Sequence, residues 1–334
     1  MHKLFDWLKQ KAVDVKPLVK SYWWVPASLF VVGLIVWMIV LRLKGHPWNE
    51  GTGFKGKTVW DWMQLLIIPA VLAVGALLFN WSQRNREKEL ALDRQREEAL
   101  QTYIDRMTEL LLKEGLRKSK EDDEVRDVAR TRTLTTLRIL DPDRKSLLVR
   151  FIQEARLITT LNPVINMSNA DLSKVHLSRT DLQQVNLRGA NLKEADLEYA
   201  LLDQSNLNHA NLSKADLFGA HLTGANLSSA YLNHALLIGS HLEQANLVEA
   251  VLISANLFLA LLIGADIRDA ILSKANLNLA DLSKADLSRA YLNEAILRDA
   301  DLRGANLREA RMEGAMLDGA KLTGTIMPDG TVHE

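Results

Sequence analysis

The 334-residue chain contains no cysteine. It carries neither a disulfide nor a thiol nucleophile, and a chain of this length has room for a large core that needs no covalent staple. The absence fits a reducing compartment. Net charge is missing too, with 41 basic side chains against 41 acidic ones. Proteins that hold nucleic acid by bulk electrostatics show a basic excess, so no nucleic-acid partner is expected. No Gly-rich phosphate loop and no His-Glu-x-x-His helix occurs, which removes the phosphate and zinc-hydrolase chemistries those patterns support. No catalytic residue, cofactor, metal or small-molecule substrate is expected.

What is present is a period. From residue 170 to residue 322 the sequence repeats every five residues without a slip. Leu172, Leu177, Leu182 and onward to Leu317 and Leu322 make 31 central positions in one phase, 29 of them Leu, with Ile267 and Met312 the exceptions. Two residues before each centre stands a small side chain, Ala in 26 cases and otherwise Val175, Thr180, Val185, Ser205 or Ser240. This period excludes a helix. Five residues at about 100° each turn the face by ~500°, so successive Leu side chains would spread around a helix instead of lining a stripe. In an extended chain, residues two apart share a side, so Ala170 and Leu172 face inward together while Asp171 faces out. A bend after every pentad keeps each new pair inside one continuous coil. Repetition on this scale presents surfaces rather than performing chemistry.

The pentads Ala190-Asn191-Leu192-Lys193-Glu194 and Ala285-Asp286-Leu287-Ser288-Arg289 resemble the motif of the pentapeptide-repeat family. The resemblance implies an all-β fold, a right-handed quadrilateral β-helix with four pentads per coil, Leu stacked on Leu and small residue on small residue. The repeats then make about 8 coils, and at ~4.8 Å per stacked strand the rod is roughly 37 Å long. Three further runs, Gly56-Lys57-Thr58-Val59-Trp60-Asp61-Trp62, Asp93-Arg94-Gln95-Arg96-Glu97-Glu98-Ala99-Leu100, and Asp122 through Leu134, are similar to the segment preceding the repeats in membrane-anchored bacterial members, especially cyanobacterial ones. That extends the resemblance to residues 56–326.

Two stretches read as membrane spans. Residues 25–41 carry no charge and only Ser28 as a polar side chain, between Lys16 and Lys20 on one flank and Arg42 and Lys44 on the other, with Tyr22, Trp23 and Trp24 placed for an interface. Residues 63–79 form the second, with Trp60 and Trp62 before them and Trp81 after. A signal peptide fits poorly, because the first stretch ends at Arg42 and Lys44 rather than at a small-residue cleavage site. The first 20 residues hold five Lys, the stretch following the second span holds Arg84, Arg86, Lys88, Arg94 and Arg96, and the loop between the spans holds four basic residues. Basic residues favour the cytoplasmic side, so both termini are expected in the cytoplasm.

Residues 83–98 are polar nearly all round and read as a solvated helical stalk. An amphipathic stripe follows in Leu100, Tyr103, Ile104, Met107, Leu110 and Leu111. A second stripe uses Val125, Val128, Leu134, Leu137 and Leu140 and stops at Asp141-Pro142-Asp143, where proline ends one helix and an Asp can cap the next. A third uses Leu147, Leu148, Phe151, Ile152, Ala155 and Ile158. Three short helices of this kind can pack together, the last covering the open first coil of the rod. The domain reading is therefore a cytoplasmic segment (1–20), a first transmembrane helix (21–43), an external loop (44–61), a second transmembrane helix (62–81), a cytoplasmic stalk and cap (82–163), the β-helix (164–327) and a tail (328–334).

The Asp residues of the rod lie on open convex faces with no cleft to exclude water, so paired carboxylates there read as lattice positions and not as an acid–base pair. His221 and His241 stand at equivalent positions one coil apart, flanked on their ladder by Leu201 and Leu261. They read as a stacked pair in preference to a metal site. Taken at every twentieth residue, Asn186, Asn206, Asn226, Asn246, Asp266, Asp286 and Asn306 form a polar ladder expected to hydrogen-bond along the rod, whereas Tyr231, Val251, Ile271 and Tyr291 form an apolar one. A neighbouring column holds Phe218, Ile238 and Phe258, with Leu236, Leu259, Leu261 and Ile263 close by, and between residues 217 and 265 the only charges are Glu243 and Glu249. A charge-poor belt bearing exposed aromatics suits a protein partner or self-association. It also suits docking of the protein's own helices.

The function expected is that of a membrane-tethered scaffold, with a regulatory or signalling adaptor of a membrane process as a variant. The family resemblance supplies a rival, since some soluble members mimic duplex DNA and inhibit DNA gyrase. That role needs a strongly acidic rod. Residues 170–326 hold 19 acidic and 14 basic side chains, with Arg289, Arg298, Arg303, Arg308 and Arg311 crowding the far end.

Overall fold

The computed structural model describes residues 59–158 and 163–334, with side chains from residue 69 onward. The first expected span, the segment before it and the external loop as far as residue 58 lie outside the described residues. Helix α1 (Val59–Leu112) runs for 54 residues with Pro69 inside it. It joins into one element what the sequence reads as the second apolar stretch, the charged stalk and the first amphipathic stripe. The chain divides into two units at Lys88. In the first, the α1 side chains of Val71, Leu72, Val74, Leu77, Phe79 and Trp81 are all exposed. Among the described residues no helix is long and apolar enough to cross a membrane.

The second unit begins with a helical cap. From α1, Leu100, Tyr103, Met107 and Leu110 are buried; α2 (Glu124–Ile139) buries Ala129, Thr133 and Leu137; α3 (Pro142–Glu154) buries Leu148, Val149 and Ile152. The i, i+4 spacing in α2 places a threonine in the seam. Thr133 Oγ1 donates to the Ala129 carbonyl at 2.8 Å, which leaves it to accept from the Tyr103 hydroxyl at 2.8 Å. Burial pushes the Tyr103 phenol well above its usual range, and the Thr133 hydrogen bond offsets only part of that. Asp141 caps α3 as expected, its side chain accepting the Arg144 N–H at 3.0 Å. Val128 and Leu147, read as core, are exposed at 37% and 58%. The burying faces are narrower than the apolar stripes.

The cap closes the first coil through specific atoms. Ser146 Oγ accepts the His176 backbone N–H at 2.9 Å, taking the place of the carbonyl that a preceding coil would supply. Arg130 donates to the Asn166 carbonyl and to Ser168 Oγ. Below the cap the rod bears out the pentad reading. Parallel bridges join residues twenty apart on four ladders, from Asp171↔Asn191 to Asn306↔Ile326, so a coil is four pentads. The central and small positions are buried from Ala170 to Ala310, Leu247 at 1% and Ala245 at 0% among them, while Met312, Ala315, Leu317, Ala320 and Leu322 in the last coil are half-buried.

The five-residue period follows from hydrogen-bond accounting. In the pentad centred on Leu217, the Leu217 N–H donates to Leu236 O on the next coil, Gly219 N–H to Ile238 O on the next coil, Asp216 N–H to Ala195 O on the coil before, and Ala220 N–H to Leu217 O across the corner. The fifth N–H, on Phe218, donates to Asp216 Oδ1 at 3.1 Å. Asp and Asn recur before each centre because they close this turn. The polar ladder thus differs from its expected form. Asn206, Asn226 and Asn246 each bond within their own turn, and along the ladder one bond is seen, Asn306 Nδ2 to Asp286 Oδ1 at 3.0 Å. The second residue after each centre is left-handed, φ 53 at Tyr199 and 59 at Gly219, which makes the corner.

Candidate interaction surface

Asp or Asn before the centre closes a turn, and another residue there leaves that N–H to find a different acceptor, as Thr223 N–H does on Asp203 Oδ1 at 2.9 Å, or to go without; such departures single out the surface. The fourth ladder keeps Asp or Asn from Asn186 to Asn306. The third instead runs Leu201, His221, His241, Leu261, the second admits Leu236, and the first runs Tyr231, Val251, Ile271, Tyr291.

Phe218, Ile238, Phe258 and Leu259 occupy the corner that follows the second ladder and precedes the third. That corner gathers the expected residues into one patch, with Leu236 on one side, Leu261 on the other and Ile263 at the next corner. Phe218, Leu236, Leu259 and Ile263 are exposed, while Ile238, Phe258 and Leu261 are half-buried. Cap side chains make polar contacts with Asn166, Ser168, Asp171, Ser173 and His176, on the first coil. The Tyr231 column is separated from this corner by the second ladder, one side further round than the sequence reading placed it.

Tyr199 belongs to the patch and was missed, because it precedes the charge-poor stretch. Its ring meets Phe218 edge to face, centroids 5.4 Å apart, with Arg179 stacked 5.6 Å from its centroid. Gly219 makes room for it: a Cβ there would stand 2.5 Å from Tyr199 Cε1. A small residue one coil below a tyrosine on the same corner is the signal that would have found it. Leu279, also exposed, extends the corner downward.

The His221 and His241 rings stack at 4.5 Å with planes 11° apart, as expected of a plain pair. Parallel rings set their nitrogens side by side instead of converging on one point. An acid does stand beside them: Glu243, turned back at the corner, has Oε1 3.4 Å from His241 Nδ1 and accepts from Thr223 Oγ1 at 3.3 Å. Among the described residues no group of three or more His, Cys, Asp or Glu side chains is arranged to hold a metal ion.

The family model described as pentapeptide repeats matches residues 165–200, 186–224, 225–262, 260–299 and 285–324. Among solved structures, the chain is similar to HetL, a pentapeptide repeat protein involved in heterocyst differentiation regulation from the cyanobacterium Nostoc sp. strain PCC 7120, at 34% identity over 51% of this chain and 90% of that one, TM-score 0.21. It is similar to the pentapeptide repeat protein Rfr23 from the cyanobacterium Cyanothece 51142, at 26% identity over 42% and 89%, TM-score 0.18. QnrB1, a plasmid-mediated fluoroquinolone resistance protein, aligns at 18% identity over 46% and 82%, TM-score 0.43. None of the curated proteins matches. With its unbroken pentads, its four-ladder coil and the family-model match over residues 165–324, the chain belongs to the pentapeptide-repeat family.

Proposed function

We propose that the chain is a membrane-tethered scaffold whose repeat rod binds a protein partner at the corner formed by Tyr199, Phe218, Ile238, Phe258 and Leu259. The observation that carries this reading is the patch itself: exposed and half-buried aromatic and branched side chains gathered on one corner, which from residue 217 to 265 runs through a stretch whose charges are Glu243 and Glu249 alone. Aromatic anchors on charge-depleted surface supply most of an interface's energy.

The tether rests on the sequence alone: residues 25–41 are uncharged between basic flanks and beside Tyr22, Trp23 and Trp24, and a second apolar run begins at Met63. The basic residues that follow favour a cytoplasmic rod. Protease added outside intact cells should leave the rod uncut, and cleavage of the rod from outside would overturn that orientation.

The charge arrangement speaks against mimicry of duplex DNA. Several rod carboxylates are already paired, Asp266 with Arg268 and Asp269 with Arg289 at 2.6 Å each, and Asp301 with Arg303 at 2.6 Å. The Arg303 guanidinium holds the Asp301 carboxyl below the usual carboxylate range.

The binding reading is tested with Phe218→Ser together with Phe258→Ser. Phe218 is exposed and Phe258 half-buried on the corner, so the fold should survive, while capture of the partner retained by the wild-type rod should fall at least tenfold. Arg303→Ser with Arg308→Ser, at the charged end, should leave capture unchanged. Unaltered capture by the double Phe variant would overturn the assignment.

A further inference from the structure

A cleft of 760 Å³ lies between the cap and the first two coils, beside the fourth ladder and away from the corner assigned to a partner, and its volume is that of a small-ligand site. The rod lines it with Gln184, Asn186, Gln204 and Asn206. The cap lines it with Arg126, Asp127 and Arg130 of α2, and with Glu121 just before that helix.

What the rod offers there is hydrogen-bond donors. Asn186 Oδ1 accepts the Arg188 N–H at 3.2 Å and Asn206 Oδ1 accepts the Asn208 N–H at 3.1 Å, so each closes its own turn and is left with Nδ2. Gln184 Nε2 donates to Gln204 Oε1 at 3.2 Å, which leaves Nε2 of Gln204. These three amide nitrogens have no protein acceptor among the described residues. The cap adds charge. Arg126 and Arg130 stand at i and i+4 on α2, a spacing at which like charges oppose each other. Arg130 is half-buried and held by neutral groups, donating to the Asn166 carbonyl at 3.2 Å and to Ser168 Oγ at 3.1 Å. Among the described residues it forms no ion pair, although Asp127 and Glu121 line the same cleft. A guanidinium drawn part-way out of water without a counter-ion, beside unused amide donors, is arranged to receive a negatively charged group.

We propose that this cleft binds a small zwitterion of the amino-acid class, with its carboxylate on Arg130 and the amide nitrogens of Asn186, Gln204 and Asn206, and its ammonium toward Asp127 and Glu121. The lining disfavours the alternatives. An apolar ligand would leave the donors unpaired. A cation would meet Arg126 and Arg130, and a multiply charged anion would meet two carboxylates. One charge of each sign, within the span of one small molecule, satisfies both walls. Because such a ligand touches the cap on one side and the rod on the other, it ties their seam, and binding to the folded state alone raises the melting midpoint.

The test is isothermal titration of the full-length chain in detergent with each standard amino acid, and with acetate, methylammonium and inorganic phosphate as partial probes. At least one amino acid should saturate the site and raise the thermal midpoint, and the three partial probes should bind at least about tenfold more weakly. If no amino acid binds at concentrations up to about 10 mM, the proposal fails. Acetate or phosphate binding as tightly as the best amino acid would also overturn it, since the site would then read a negative charge and nothing more.

Asn206→Asp separates recognition from folding. It keeps the acceptor for the Asn208 N–H but sets an anion where the ligand carboxylate lies, so affinity should fall at least about tenfold. Asn246→Asp, two coils further along the same ladder and outside the cleft, should leave affinity unchanged. Arg130→Gln should abolish binding; it also gives up the contacts to Asn166 and Ser168, so Asn206→Asp decides the matter where that variant is unstable. Asp127→Asn together with Glu121→Gln should weaken binding of the amino acid and leave that of acetate no weaker. An amino-acid affinity untouched by Asn206→Asp, or by the loss of both acids, would overturn the placement.

Discussion

Lys145 on α3 donates from Nζ to Asp171 Oδ2 at 2.9 Å across the seam between the cap and the first coil. The lysine is 4% exposed and also donates to Ser173 Oγ at 3.3 Å. An ammonium this deep needs its counter-ion, so removing one partner costs more than removing the charge that needs pairing. Asp171→Ala should destabilise the cap by about 3 kcal/mol, and Lys145→Met by less, with the thermal midpoint as the measurement.

The same pair predicts a pH dependence. Burial raises the Asp171 pKa, but the hydrogen bonds from Lys145 and Ser173 and the nearby positive charge outweigh it, and the net shift is downward. A carboxylate lowered in the folded state contributes stability that is present above its unfolded value of about 3.9 and is lost as pH falls through the folded value. Melting midpoints taken between pH 7 and pH 3 should drop in the acid limb, and the drop should be smaller in Lys145→Met. The carboxylates lowered on the rod, Asp266, Asp269 and Asp301, are common to both proteins, so the difference isolates Asp171. Parallel acid limbs in the two proteins would refute the assignment.

The repeat was legible because inside and outside alternate within three residues. Ala190 and Leu192 are buried and Asn191 is not, whatever lies further along the chain. The ladders were legible as well, since four pentads per coil fix which residues stack. What the sequence hid depends on the corner. The left-handed residue sends position 199 back toward 218, a pairing nineteen residues apart that twenty-residue spacing does not reveal. It also brings Glu243 to His241, although the acid is absent from the histidine ladder. In the cap, Leu147 continues an apolar stripe past the edge of the face that packs, and periodicity alone carries no information about where a neighbour ends.

The inward and outward assignment is tested by adjacent residues. Leu247 is 1% exposed in the stack of leucines, so Leu247→Asp places a carboxylate where no partner exists and should cost several kcal/mol. Asn246 Oδ1 accepts the Val248 N–H at 3.1 Å, and an aspartate keeps that acceptor. Asn246→Asp should cost under about 0.5 kcal/mol. Equal melts for the two variants would contradict the packing.

Ser205 is a case in which the sequence is less stable than its neighbours suggest. It occupies a small inward position at 1% exposure, and its Oγ has no hydrogen-bond partner among the described residues, whereas Ser240 Oγ donates to the Leu237 carbonyl at 2.8 Å. Burying an unsatisfied hydroxyl costs about 1 kcal/mol or more, and alanine, the usual residue there, removes that cost. Ser205→Ala should raise the thermal midpoint. Ser240→Ala should not, because it gives up a bond that is made.

Gly219 and Gly239 separate backbone strain from contact on the interaction corner. Both are left-handed, with φ of 59 and 61, but a Cβ on Gly239 meets nothing within 4 Å, while one on Gly219 stands 2.5 Å from the Tyr199 ring. Gly239→Ala should therefore cost only the left-handed penalty of about 1 kcal/mol. Gly219→Ala should cost that and the displacement of Tyr199 from its edge-to-face contact with Phe218, worth roughly 1 kcal/mol more. In a Tyr199→Ala background the contact is already gone, so the cost of Gly219→Ala should fall to that of Gly239→Ala; neighbours that share a contact are non-additive in this way. Gly219→Ala should also weaken capture of a partner at the corner, since the ring it displaces is part of the surface, whereas Gly239→Ala leaves the ring in place. Additive melts across the cycle would show that Tyr199 does not rest over Gly219.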